Sequence, residues 1–204
     1  MPTKVKSLAL LSVLVFGAMT SSKAVPNDPR NVNPVEVGST LPVVNLTNES
    51  GKPVSLREAL GGGKAVIIFY RGSWCPYCTK HLSAVGQHED KILNQGYKII
   101  ALSPDKPAVI EDYAKEADLN YELYSDSEMA AATAFGLTFK LDEATLAKLD
   151  SYDIDIEAAS GKKHHLLPVP AVFISDEEGR ITFRYYNPDY KKRLSPEELL
   201  GAIE

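Results

Sequence analysis

The chain has 204 residues, carries 27 acidic against 22 basic side chains for a formal charge of −5, and contains two cysteines and four histidines. An acidic chain without a basic run offers no complementary field to nucleic acid or to an anionic lipid surface, which argues against both as partners. Cys75 and Cys78 are separated by only two residues and cannot staple distant segments, so the pair is there for reactivity rather than architecture.

Residues 1–24 combine Lys4 and Lys6 with an apolar run from Leu8 to Met19, end in Ser22-Lys23-Ala24, and hold no acidic residue. That is the layout of a secretory signal peptide with a small-x-small cleavage site. The run is shorter than the roughly twenty apolar residues that span a bilayer as a helix. The expectation is an exported protein, periplasmic or secreted, whose mature chain from Val25 is soluble and has no membrane partner. Residues 25–40, rich in Pro and Asn, read as an extended lead-in, and 41–204 as one domain.

Two short apolar stretches, Pro42 to Leu46 and Lys52 to Leu56, flank Asn48-Glu49-Ser50-Gly51 and predict a hairpin. After Gly61-Gly62-Gly63 the run Ala65-Val66-Ile67-Ile68-Phe69-Tyr70 has the composition of a central strand buried on both faces. A helical pattern follows Cys78 to about Asn94, with Leu82, Val85, Ile92 and Leu93 as its apolar stripe. Tyr97 to Leu102 repeats the buried-strand signature; Pro107 to Ala117 reads as a helix, Tyr121 to Tyr124 as a strand, and Glu128 to Phe135 as a further helix. Strands alternating with helices predict parallel βαβ units in an α/β sandwich. The stretch 137–167 breaks that rhythm and reads as an irregular insertion, with Asp142 capping a short amphipathic helix. Ala171 to Ile174 and Arg180 to Tyr186 flank Asp176-Glu177-Glu178-Gly179 as a β-hairpin, and Ser195-Pro196 opens a final helix.

The chemistry concentrates in Tyr70-Arg71-Gly72-Ser73-Trp74-Cys75-Pro76-Tyr77-Cys78, which joins the buried strand to the long helix. At a helix N-terminus Cys75 meets unpaired backbone N–H groups and the positive end of the helix dipole, which favour its thiolate. Cys78, one helical turn on, is placed to attack a mixed disulfide at Cys75 and release the partner. Pro76 at the first helical position costs no backbone hydrogen bond, and Trp74 and Tyr77 flank the thiols as a semi-apolar docking surface.

With this setting the segment Phe69 to Cys78 resembles the peroxiredoxin-like branch of the alkyl hydroperoxide reductase and thiol-specific antioxidant superfamily. The resemblance extends to Val37-Gly38-Ser39-Thr40-Leu41-Pro42, to Ser125-Asp126 ahead of Ala134-Phe135-Gly136, and to Val169-Pro170-Ala171-Val172-Phe173-Ile174. It implies a thioredoxin-like α/β sandwich, a central mixed sheet with flanking helices. It also implies that Val169-Pro170 is the cis-proline element facing the thiols, baring backbone for a substrate segment. The peroxidatic cysteine of the family then falls at Cys78, its activating Thr at Cys75, and its activating Arg at about Pro170; Arg71 is a candidate substitute guanidinium.

Departure at both helpers ranks thiol–disulfide exchange, with Cys75 as nucleophile, ahead of a thiol peroxidase with Cys78 peroxidatic and Cys75 resolving. The expected partners are a protein disulfide or a hydroperoxide, and a periplasmic thiol relay as reductant. No cofactor and no resident metal are expected. A copper or zinc metallochaperone using His164 and His165 beside the thiols is a third reading, with a solvated loop as the plainer account of both histidines. His81 and His88, seven apart, suit surface or partly buried positions better than ligands. The run Tyr185 to Arg193, mixing aromatics with bases, reads as a turn between strand and helix.

Overall fold

The computed structural model describes residues 24–117 and 119–203; the leader expected over 1–24 lies, up to residue 23, outside them. The described elements are β1 (Asn45–Thr47), β2 (Pro53–Ser55), α1 (Leu56–Ala59), β3 (Lys64–Phe69), α2 (Pro76–Gly86), α3 (Glu89–Asn94), β4 (Tyr97–Ser103), α4 (Pro107–Ala117), β5 (Glu122–Ser125), α5 (Ala130–Ala134), β6 (Thr138–Lys140), α6 (Glu143–Asp150), α7 (Ile156–Ser160), β7 (Leu166–Pro168), β8 (Ala171–Ser175), β9 (Ile181–Tyr186) and α8 (Pro196–Ile203). No helix among the described residues is long and apolar enough to cross a membrane.

The main sheet runs β2-β1-β5-β4-β3-β8-β9. Strand β3 is parallel to β4 and antiparallel to β8, which makes the sheet mixed and occupies both of its edges. Its continuous apolar sequence follows from that position, because successive residues face two cores. Ala65, Ile67 and Phe69 enter one core, with Phe135 and Phe173; Val66, Ile68 and the following Tyr70 enter the other, with Leu82, Val85 and both cysteines. The three phenylalanines of the first core pack at tilted angles, with centroids 4.9 Å apart for Phe69–Phe135 and for Phe135–Phe173.

The long helix expected after Cys78 is two. Gly86, a weak helix former, ends α2, the His88 ring donates through Nδ1 to the Ala84 carbonyl at 3.1 Å, and α3 starts afresh. The insertion 137–167 is ordered rather than irregular. Strands β6 and β7 pair antiparallel, and between them Asp142 and Asp155 cap α6 and α7 by accepting from the N–H groups of Thr145 and Ala158. The N-cap of α8 is reciprocal: Ser195 Oγ accepts from Glu198 N at 3.2 Å and Glu198 Oε2 from Ser195 N at 2.8 Å.

The lead-in is extended and tied down. Asn33 N donates to Gly136 O, Val35 N to Phe135 O and Lys140 N to Pro26 O, while Arg184 Nη1 donates to the carbonyls of Pro34 and Val35. Gly136 sits at φ +71°, and a Cβ there would stand 2.1 Å from the Asn33 carbonyl oxygen, so this contact requires glycine.

Candidate active site

The loop from Tyr70 to Cys75 leaves the carboxyl end of β3 and turns at once into α2. The turn depends on Gly72, whose φ is +146° and whose missing Cβ would lie 2.3 Å from Trp74 Nε1. It is anchored across the sheet by Asp105, just beyond β4, whose Oδ2 accepts from Ser73 N at 2.7 Å and from Ser103 Oγ at 3.1 Å. Asp105 is only 1 % exposed, and burial pushes its carboxyl up to about 6.

Cys75 is the N-cap residue of α2 and Pro76 fills the first turn, as the spacing predicts; Cys78 N and Thr79 N both donate to the Cys75 carbonyl. Both thiols are free and buried, Cys75 at 1 % and Cys78 at 0 % exposure. Their surroundings push the two thiols in opposite directions. The hydrogen bond from the Cys78 thiol holds Cys75 below the ordinary thiol range against the opposing effect of burial, with help from the Arg71 charge. Burial, and then Cys75 itself, push Cys78 up, which the Arg193 charge partly offsets.

Two guanidiniums border the pair. Arg71, 7 % exposed, lies 4.9 Å from the Trp74 ring centroid and 4.2 Å from that of Tyr190, and Tyr190 meets Tyr77 edge-on at 5.7 Å. Arg193 donates through Nη2 to Cys78 Sγ at 3.2 Å. The sequence reading missed Arg193, which it placed in a turn at the end of the Tyr185–Arg193 run. The segment carrying it is fixed to the thiol helix by His81, whose Nε2–H donates to the Leu194 carbonyl at 3.0 Å. Burial and the neighbouring Arg193 push the His81 imidazole down to about 4, so it stays neutral at physiological pH.

Three expectations are corrected. Among the described residues there is no cis peptide bond, so Val169-Pro170 is trans. Nor is its backbone bared for a substrate strand, because Val169 N donates to Leu137 O and Pro170 O accepts from Asn187 N. The histidines after Lys163 are engaged away from the thiols: His164 donates through Nε2 to Ser127 O and accepts at Nδ1 from Leu166 N, and His165 pairs with Glu157. Among the described residues no three His, Cys, Asp or Glu side chains converge on a common point.

A strand-to-helix thiol pair beneath a guanidinium, on a mixed sheet with flanking helices, defines a thioredoxin-fold redox protein. Residues 37–184 match the family model described as AhpC/TSA family, and the chain belongs to that family, as a thiol-dependent oxidoreductase. Among curated proteins it is similar to peroxiredoxin Bcp of Escherichia coli, 26 % identical over 106 residues that make up 52 % of this chain and 67 % of the relative. It is also similar to the chloroplastic peroxiredoxin Q of Gentiana triflora, 32 % identical over 121 residues, 59 % of this chain and 55 % of the relative. The fold is that of peroxidoxin BcpB from Mycobacterium tuberculosis, with a TM-score of 0.64 at 18 % identity over 83 % of this chain and 96 % of that one. Reduced Prx3 of Vibrio vulnificus, solved with hydrogen peroxide, superposes with a TM-score of 0.67 at 20 % identity over 83 % of this chain and 99 % of that one.

Proposed function

We propose that this chain is a thiol peroxidase that reduces hydroperoxides, with Cys78 as the peroxidatic and Cys75 as the resolving residue. The observation that carries this reading is the 3.2 Å contact from Arg193 Nη2 to Cys78 Sγ. It supplies the guanidinium that is missing at Pro170, and relatives named as peroxiredoxins point the same way. Cys78, once its proton has passed to Cys75 or to solvent, attacks one peroxide oxygen as thiolate: an S–O bond forms, the O–O bond breaks, and the leaving oxygen takes up that proton and departs as alcohol or water. A cationic donor beside the sulfur favours this step by stabilising the charge that moves onto the leaving oxygen. Cys75 then attacks the Cys78 sulfenic acid, water leaves, and the Cys75–Cys78 disulfide is reduced by an external thiol.

A second reading, thiol–disulfide exchange with Cys75 as nucleophile, is favoured by the acidity of Cys75 at its N-cap position. Pre-reduced wild type, Cys75→Ser and Cys78→Ser, each mixed with hydrogen peroxide and separately with a model disulfide, separate the two. Peroxide consumption in the first turnover that survives Cys75→Ser and is lost in Cys78→Ser supports the peroxidase. Loss on removing Cys75 alone, with disulfide exchange lost in parallel, supports the second reading. We further infer export, from the charge and apolar pattern of residues 1–24; fractionation that leaves the protein in the cytoplasm with residues 1–24 intact would refute it.

A further inference from the structure

Against Arg71, on the loop that leads to Cys75, lies a cleft of about 600 Å³ lined by the apolar Phe139, Leu141, Val169 and Pro170 and by Tyr190. That volume suits a small molecule rather than a folded domain. Arg71 stands on the loop four residues before Cys75 and its charge acts on that thiol, so the cleft it lines borders the Cys75 side of the pair.

The charges around the cleft are unequally engaged. At its rim Asp28 pairs with Arg30, and the exposed Asp142 and Asp189 accept from backbone N–H groups. Arg71 is more than nine-tenths buried and stacks on Trp74 and Tyr190, but makes no ion pair or side-chain hydrogen bond among the described residues. When the pair is oxidised, the Cys75 thiolate that Arg71 otherwise faces is gone, and a buried guanidinium left without an anion is costly. It presents a planar fork suited to a carboxylate. The rim carboxylates, in turn, suit an amino group at the other end of the same molecule.

We propose that this cleft is the site of a small reductant, a thiol of amino-acid or peptide type, whose carboxylate is anchored by Arg71. The proposal rests on the reading that Cys75 and Cys78 cycle through a disulfide. With Cys75 and Cys78 only 1 % and 0 % exposed, a folded reductant requires the surface around them to open widely, whereas a small thiol requires a narrower opening. A carboxylate that competes for Arg71 loosens its stack on Trp74 and Tyr190 as it enters. The incoming thiolate attacks Cys75 Sγ, the Cys75–Cys78 bond breaks, and the electron pair goes to Cys78, where Arg193 stabilises the departing thiolate. A second molecule of the thiol attacks the adduct, leaving with the first as a small disulfide and returning Cys75 as thiolate. The net change is two thiols oxidised for one protein disulfide reduced.

The test uses full-length protein oxidised with diamide, so that it does not depend on any peroxide reaction. Reduction by glutathione and by glutathione diethyl ester, compared at equal thiolate concentration, is followed by acid quench and mass spectrometry. Glutathione is expected to be about tenfold faster, as one charge-assisted contact allows. The general field of a chain with net charge −5 favours the cationic ester, so it works against this result. Arg71→Gln should bring the ratio to about one, and Arg71→Lys should keep part of it. A ratio near one in wild type, or a ratio that survives Arg71→Gln, overturns the proposal. Failure of peroxide consumption alongside an Arg71-dependent ratio would instead remove the peroxidase reading and leave the reductant site in place.

Discussion

Arg193 donates to Cys78 Sγ at 3.2 Å although the two residues are 115 positions apart, and the guanidinium arrives on the segment between β9 and α8 rather than from the β8 side. Arg193→Ala should therefore slow the oxidation of reduced protein by hydrogen peroxide about 100-fold, the scale found when one preorganised donor is removed from a reacting centre. Arg193→Lys should recover only part, since an ammonium does not reproduce the planar fork. Stopped-flow fluorescence of Trp74, the single tryptophan of the chain, reads both. A change within twofold for Arg193→Ala would sink the assigned role.

The acidity of Cys75 depends first on the hydrogen bond from Cys78. Cys78→Ala removes that donor and leaves the burial, so the midpoint for alkylation of Cys75 by iodoacetamide should move to higher pH. The loss of rate falls between the two midpoints, because only the thiolate reacts. An unchanged or lower midpoint would show that Arg71 and the helix terminus suffice without Cys78.

Gly72→Ala asks a side chain to occupy a φ of +146° and a space 2.3 Å from the Trp74 indole. A loss of about 3 kcal/mol in urea denaturation is expected, from backbone strain and displacement of the indole together. Full stability in this variant would mean that the loop has room to move.

Asp105 sets a pH dependence whose sign is opposite to that of a salt-bridged carboxylate. Its folded value is raised to about 6 from 3.8, so between those limits the folded chain holds a proton that the unfolded chain releases. Stability contributed by this group is present at low pH and is lost as pH rises through the folded value. Going from roughly pH 7 to roughly pH 4.5, wild type should gain about 2 kcal/mol relative to Asp105→Asn. Urea denaturation at the two pH values measures it. Equal pH responses of wild type and variant would remove Asp105 as the source.

The parts of the site that lie along one continuous stretch were legible in the sequence. The run from Ala65 to Tyr70 announces a strand buried on both faces, and Pro76 after Cys75 announces a helix start. Asp105 and Arg193 reach the thiols only through the fold, and neither carries a local signal: one follows a strand that merely reads as buried, the other sits in a basic turn. Val169-Pro170 was read through family resemblance rather than through its own neighbours, and the neighbours decide otherwise, since Leu137 and Asn187 take its hydrogen bonds. The insertion 137–167 looked irregular because its order depends on pairing between Thr138–Lys140 and Leu166–Pro168, two segments too short to show a period.

Removal of residues 1–24, as the proposed export requires, would act on the tied-down lead-in. Asp28 and Arg30 stand on the wall of the same cleft that Arg71 closes at depth, and Pro26 already accepts a hydrogen bond from Lys140. Cleavage after Ala24 would set the new amino terminus at Val25, immediately before the residue that accepts that bond, while trimming past Arg30 would strip one side of the cleft away. The choice made by a processing protease would thus be written directly into the shape of the redox pocket, making N-terminal heterogeneity a source of kinetic heterogeneity in an otherwise uniform preparation.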